Sequence, residues 1–376
     1  MTRMILDSRA GARRLTPVLA PVLAFVVTLA AAPPAAADFD ETLSVDAPSL
    51  EVANLIGKVT VEPASGSEFQ IEVHVRGADG TRENIQVERK ERAGRVGVVV
   101  QYPLETDRKY VYPEMGRGSS STFQSDWDED DSHNILDWLV DRDWRKSVTV
   151  KGAGSGLEIW ADCTIRVPAG KELVVHVGVG DIGARDLRGA LTLDTNSGQV
   201  TARNLNGDVE ISTGSGDIGL SKISGELAAS TGSGDVSVSQ VDVTRFEIQT
   251  GSGDAEADSV TCRVFEASTG SGRIEARRVI ADDGDLQTGS GRISAEFLQI
   301  GKGPFELSTG SGSIRLRLPE NASADVEAST GSGSIDVDVA DPVIDVDEHN
   351  EVAFRVGSGD AHFTVETGSG SIEIAN

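Results

Sequence analysis

From Val177 to the C-terminus, apolar residues alternate with polar ones in short runs, and each run closes on the same kind of glycine-rich corner. After the corner come pairs such as Ile218 and Leu220, Val236 and Val238, Ile274 and Ala276, and Ile314 and Leu316. Before the next corner come Val209 and Ile211, Phe246 and Ile248, and Phe305 and Leu307. A period of two is the signature of strands with one face buried, not of helices. A third apolar column lies between the two, at Leu205, Ile223, Val241, Val260 and Val279.

The corners recur almost regularly. Thr-Gly-Ser-Gly begins at Thr213, Thr231, Thr250, Thr269, Thr288, Thr309, Thr330 and Thr367, with degenerate copies at Val177, Thr195 and Val356. Successive steps are 18, 18, 18, 19, 19, 19, 21, 21, 26 and 11 residues. Two short strands bury no core alone, whereas stacked repeats share a continuous one. The expected fold is therefore all-β: a single-stranded parallel β-helix, or β-solenoid, with about 18–21 residues per coil. The left-handed hexapeptide signature is missing, so the expected hand is right. Glycine supplies the positive φ that a chain turning this often requires. Strand parity places the threonine column inward or at the corner itself.

Upstream, 38–102 reads as six alternating strands over 42–45, 49–52, 59–62, 69–75, 85–88 and 96–102, expected to form a β-rich N-terminal cap or the first coils. Residues 103–150 form a polar, acidic insertion carrying Trp127, Trp138 and Trp144, with a short helix expected over 132–144. Residues 151–376 are the repeat solenoid, and residues 1–37 precede them all as a leader. That leader has Arg3, Arg9, Arg13 and Arg14 ahead of an apolar run from Leu15 to Ala31, then Ala35 to Ala37, which is the pattern of a cleaved signal peptide. The proline-broken run is a poor membrane span, so the mature chain is expected to be exported, periplasmic or secreted to the cell surface, without stable membrane insertion.

The segments Val52-Ala53-Asn54-Leu55-Ile56-Gly57-Lys58-Val59-Thr60-Val61 and Ile165-Arg166-Val167-Pro168-Ala169-Gly170-Lys171-Glu172-Leu173, with the repeats that follow, resemble the bacterial DUF4097 β-strand-repeat family, adhesin-like proteins of unknown function. The resemblance implies an exported β-solenoid and brings no catalytic residues with it. The long polar insertion after Tyr102 departs from the family's pattern.

Loss of the leader removes four Arg and one Asp, moving the formal charge from −26 to −29. Such acidity disfavours nucleic acid as a partner. Cys163 and Cys262 lie 99 residues apart, about five coils at ~4.8 Å each, so they are expected as small buried fillers rather than a disulfide. Asp217, Asp235 and Asp254 form an acidic ladder spaced about 5 Å from coil to coil, which Ca²⁺ can bridge. The nine-residue calcium β-roll pattern is absent, however, and Arg273 and Arg292 follow in the same column, so a solvated face is the favoured reading and no cofactor is expected.

Polysaccharide-acting enzymes also use β-helices, but His74, His133, His176, His349 and His362 are scattered, and no nucleophile triad, zinc spacing or phosphate loop occurs. The expected function is a non-catalytic, adhesin-like binding or scaffolding module of the bacterial envelope, with a glycan or protein as ligand. Trp127, Trp138 and Trp144 are the candidate contacts. The alternative is a self-assembling envelope element, associating through an unpaired C-terminal edge at 370–376.

Overall fold

A computed structural model describes residues 38–92, 95–123 and 147–376. The leader and Trp127, Trp138 and Trp144 lie outside the described residues, as does the segment expected as a helix. Among the described residues the strands form one 26-stranded sheet and one four-stranded sheet. No helix there is long and apolar enough to cross a membrane.

The large sheet winds as coils. Each coil sends one strand into a glycine corner and a second strand out of it, and from Leu191 to Arg317 each strand pairs in parallel with its counterpart one repeat away. After the corner, Val200, Ile218, Val236, Ala255, Ile274, Ile293 and Ile314 stand in register from coil to coil. Before it, Leu191, Val209, Leu227, Phe246, Phe265, Gly284 and Phe305 do the same. All of the apolar members are buried, as are Leu205, Ile223, Val241, Val260 and Val279 of the third column. The strand pattern and the repeat thus give the β-solenoid the sequence implies.

The lead-in supplies the first coil. Ser49–Ile56 pairs in parallel with Glu172–Val179, and Val59–Pro63, across the Gly57 corner, pairs in parallel with Ile182–Arg188. Asn54 occupies the corner position that threonine holds later. Its buried amide donates to the Ala161 carbonyl at 2.7 Å and accepts from the Tyr102 hydroxyl at 3.2 Å. Antiparallel strands then close the end: Phe39–Val45 on Phe69–Arg76, Phe69–Arg76 on Trp160–Val167, and Gln86–Arg92 on Arg95–Gln101. The small sheet joins Lys109–Val111, Ser120–Phe123, Val148–Lys151 and Leu157–Glu158. Tyr102, Tyr110 and Tyr112 are all buried between it and the first coil, and Tyr112 meets Trp160 at 5.8 Å between ring centres.

Two expectations are corrected at the C-terminal end. The last coil, Ala361–Thr367 with Ile372–Ala375, is not an open edge. It lies between the coil of Pro304–Ser311 and Ile314–Arg317 and the coil of Ala324–Thr330 and Ile335–Asp338, pairing in parallel with both. Side-chain fit accounts for the order, since Phe363 stacks flat on Phe305 with centroids 4.5 Å apart and planes 5° apart. The outer coil is covered in turn by an antiparallel hairpin, Val343–Glu348 with Glu351–Val356, laid on Ala324–Thr330. The copy at Val356 is not a corner of the stack. Its Gly357 and Gly359 have φ of 63° and 75°, against 148–153° at Gly216, Gly234, Gly312 and Gly370, and they turn the chain from the hairpin into the last coil.

Candidate binding surface

The glycine corners set the geometry of the surface. Each corner threonine points inward, and its hydroxyl donates to the carbonyl of the last corner glycine on the coil before: Thr231 to Gly216 at 3.0 Å, Thr250 to Gly234 at 2.9 Å, Thr269 to Gly253 at 2.9 Å and Thr288 to Gly272 at 3.0 Å. Parity forces this inward placement, and the hydrogen bond removes the cost of burying the hydroxyl. The first glycine of each corner is left exposed, packed so closely that a methyl group at Gly251 or Gly270 would lie 2.6 Å from the carbonyl oxygen of Gly232 or Gly251 respectively. The result is a bare backbone floor.

Beside that floor runs a column of polar side chains one residue before the threonines. Gln249, Ser268, Gln287 and Ser308 stand in register on consecutive coils. Floor and column line an open groove of ≈ 610 Å³ that extends along the stack from Thr231 to Ser308. Two residues further back, Glu247, Glu266, Asp285 and Glu306 form a second register column of carboxylates. Arg245 pairs with Glu266 at 2.6 Å and Glu247 at 3.4 Å, and Gln287 donates to Asp285 at 2.9 Å. Uncharged donors and acceptors therefore repeat at the coil spacing of about 4.8 Å, beside a negative margin. Such a surface can hydrogen-bond an extended neutral or cationic polymer and repels an anionic one.

The acidic ladder lies on the other side of the corner. Asp217 accepts the Asp235 backbone N–H at 3.0 Å, Asp235 accepts that of Asp254 at 2.8 Å, and Asp254 accepts both the N–H and the guanidinium of Arg273, each at 2.8 Å. Each carboxylate thus caps the next coil. Among the described residues no group of three or more His, Cys, Asp or Glu is placed to hold a metal ion. Cys163 and Cys262 are both buried and free, and burial pushes each thiol up to about 12, which keeps it protonated and unreactive.

One constellation escapes inspection of the sequence. His176 is 1 % exposed, with Nε2 3.0 Å from Glu51 Oε1 and Nδ1 3.4 Å from Asp194 Oδ2; Arg95 lies 3.7 Å from the other Glu51 oxygen. Burial opposes charging the ring, but the hydrogen bonds and charges of Asp194 and Glu51 outweigh it and raise its pKa to about 9. A folded pKa above the unfolded value near 6.5 stabilises the fold fully below pH 6.5 and progressively less as pH climbs through about 9. The expected loss across that window is on the order of 3 kcal/mol. Urea unfolding at pH 6 and pH 9.5 should show it, and His176→Gln should flatten the difference. An equally steep decline in the variant would place its origin elsewhere.

The family model described as Toastrack DUF4097 matches residues 161–375, more than half of the chain. No curated protein matches it. A solved structure from Clostridium sporogenes, described provisionally as a cell adhesion protein, aligns over 90% of this chain and 99% of its own. Its identity is 11% and its TM-score 0.21, too low for the likeness to carry an argument.

Proposed function

Because the chain belongs to the Toastrack DUF4097 family, we propose that it is an exported, non-catalytic binding module of the bacterial envelope that holds an extended neutral or cationic polymer, a glycan foremost, in the groove along its glycine corners. The observation that carries this reading is the repeat of Gln249, Ser268, Gln287 and Ser308 beside exposed glycine backbone. A polymer with its own regular repeat meets an uncharged donor and acceptor at each coil, an amide and a hydroxyl in alternation, so weak single contacts add along its length. Export rests on the leader sequence, with its arginines, apolar run and alanine cleavage site. The net charge of −26 supports an uncharged or cationic ligand over an anionic one.

Retention on a panel of envelope and extracellular polysaccharides tests the proposal. The double variant Gln249→Ala, Gln287→Ala removes two amides without touching the inward face, and it is expected to weaken retention roughly thirtyfold, as two hydrogen bonds of about 1 kcal/mol imply. Replacing Trp127, Trp138 and Trp144 with alanine is the comparison. Retention lost there but unchanged in the glutamine variant would move the site from the groove to the insertion.

A further inference from the structure

The C-terminal coil occupies a slot whose two walls recognise it by the same chemistry. On the inner wall the Thr367 hydroxyl donates to the Gly312 carbonyl at 2.9 Å, and on the outer wall the Thr330 hydroxyl donates to the Gly370 carbonyl at 2.9 Å. Ile372 pairs in register with Ile314 on one side and Ile335 on the other, and Phe363 stacks on Phe305. The outer wall precedes the coil in sequence, so the last coil has to enter between two coils already present in the chain, and until it does both walls carry unpaired strand edges.

The joint that delivers it is small. Glu351–Val356 lies on one side of Ala324–Thr330 and Ala361–Thr367 on the other, so only residues 357–360 carry the chain across the strand's end. Gly357 and Gly359 hold left-handed φ values of 63° and 75° there, and Ser358 and Asp360 hydrogen-bond to the Ser323 hydroxyl. A four-residue turn built on two glycines opens by dihedral rotation alone, with the strands on either side left intact.

We propose that the coil 361–375 exchanges between two copies of this chain, each lending its last coil to the slot of the other. The occupant is a second copy because the slot demands a corner threonine, a flat aromatic ring and a pair of inward isoleucines at the spacings Phe363, Thr367, Ile372 and Ile374 provide. The same hydrogen bonds and the same stacking form in the exchanged pair as in the single chain, so only the turn at 357–360 changes and the balance is set by concentration. The inference is independent of the polymer groove.

Ser308 and Glu366 are register partners on neighbouring parallel strands and both point outward, which brings their α-carbons within disulfide reach. The test co-expresses two differently tagged full-length chains, one carrying Ser308→Cys and the other Glu366→Cys, and oxidises the purified product mildly. Exchange predicts a disulfide-linked pair bearing both tags, at least tenfold above a control that combines Ser308→Cys with Thr201→Cys, a site several coils away. No pair above that control overturns the proposal when a single chain carrying both Ser308→Cys and Glu366→Cys links within itself. If that chain does not link either, the order of the last coils is itself wrong and the proposal falls with it.

Discussion

Gly234→Ala should lower stability by more than about 3 kcal/mol, and urea unfolding followed by circular dichroism will read the loss. Gly234 closes the corner begun at Thr231 with φ at 148°, where a side chain is strained whatever the space around it. Space is lacking as well, because an added methyl carbon would lie 2.1 Å from the Gly216 carbonyl oxygen directly beneath. That carbonyl accepts the Thr231 hydroxyl, so relief by backbone movement breaks the buried hydrogen bond. Each coil rests on its neighbours, and a shift at one corner is felt on both sides of it. Gly183→Ala provides the contrast. Its nearest neighbour would be the Thr201 hydroxyl at 3.8 Å, and the substitution should change stability by less than about 1 kcal/mol. Equal effects at the two sites would contradict the close stacking of corner backbone.

Phe305→Ala should cost about 3–5 kcal/mol, the range for removing a fully buried aromatic ring. Phe305 is 1 % exposed, stacked on Phe363 and set edge-on to Phe297 at 5.2 Å. On its other side the column of phenylalanines is interrupted by Gly284, where a methyl carbon would come within 3.1 Å of the Phe305 ring. The missing side chain at Gly284 gives Phe305 its room, and nothing there can collapse into the space the ring would leave. Because Phe305 is also the platform for Phe363, hydrogen exchange across 361–375 should quicken in the variant more than across 227–252. A loss below about 1 kcal/mol, or exchange raised evenly along the chain, would show that the ring stack does not seat the last coil.

Strand positions and the inward threonines were legible because alternation and a nearly constant spacing both point to one coil per repeat. The second corner was not. Asp186, Asn204, Lys222, Gln240, Ser259 and Arg278 all adopt φ between 53° and 60° on successive coils, yet they share no chemistry that marks a left-handed residue. The out-of-order last coil left one trace, the irregular steps of 26 and 11 residues around Val356. Thr367 carries the same motif as its predecessors, so position in the stack had to come from the ring pairing of Phe305 with Phe363. The His176 clamp was missed because Glu51 is 125 residues away, although Asp194 lies 18 residues on, one full coil, which was the available signal. The acidic ladder was legible as a column but not as a set of caps on backbone N–H groups, which depends on how the corners stack.

The chain from Asp38 to Asn376, incubated with a panel of envelope and extracellular polysaccharides, tests the central claim most directly when retained protein and released sugar are measured in the same samples. Retention without release is the predicted result, and release of reducing sugar or unsaturated oligosaccharide in step with retained protein would contradict it.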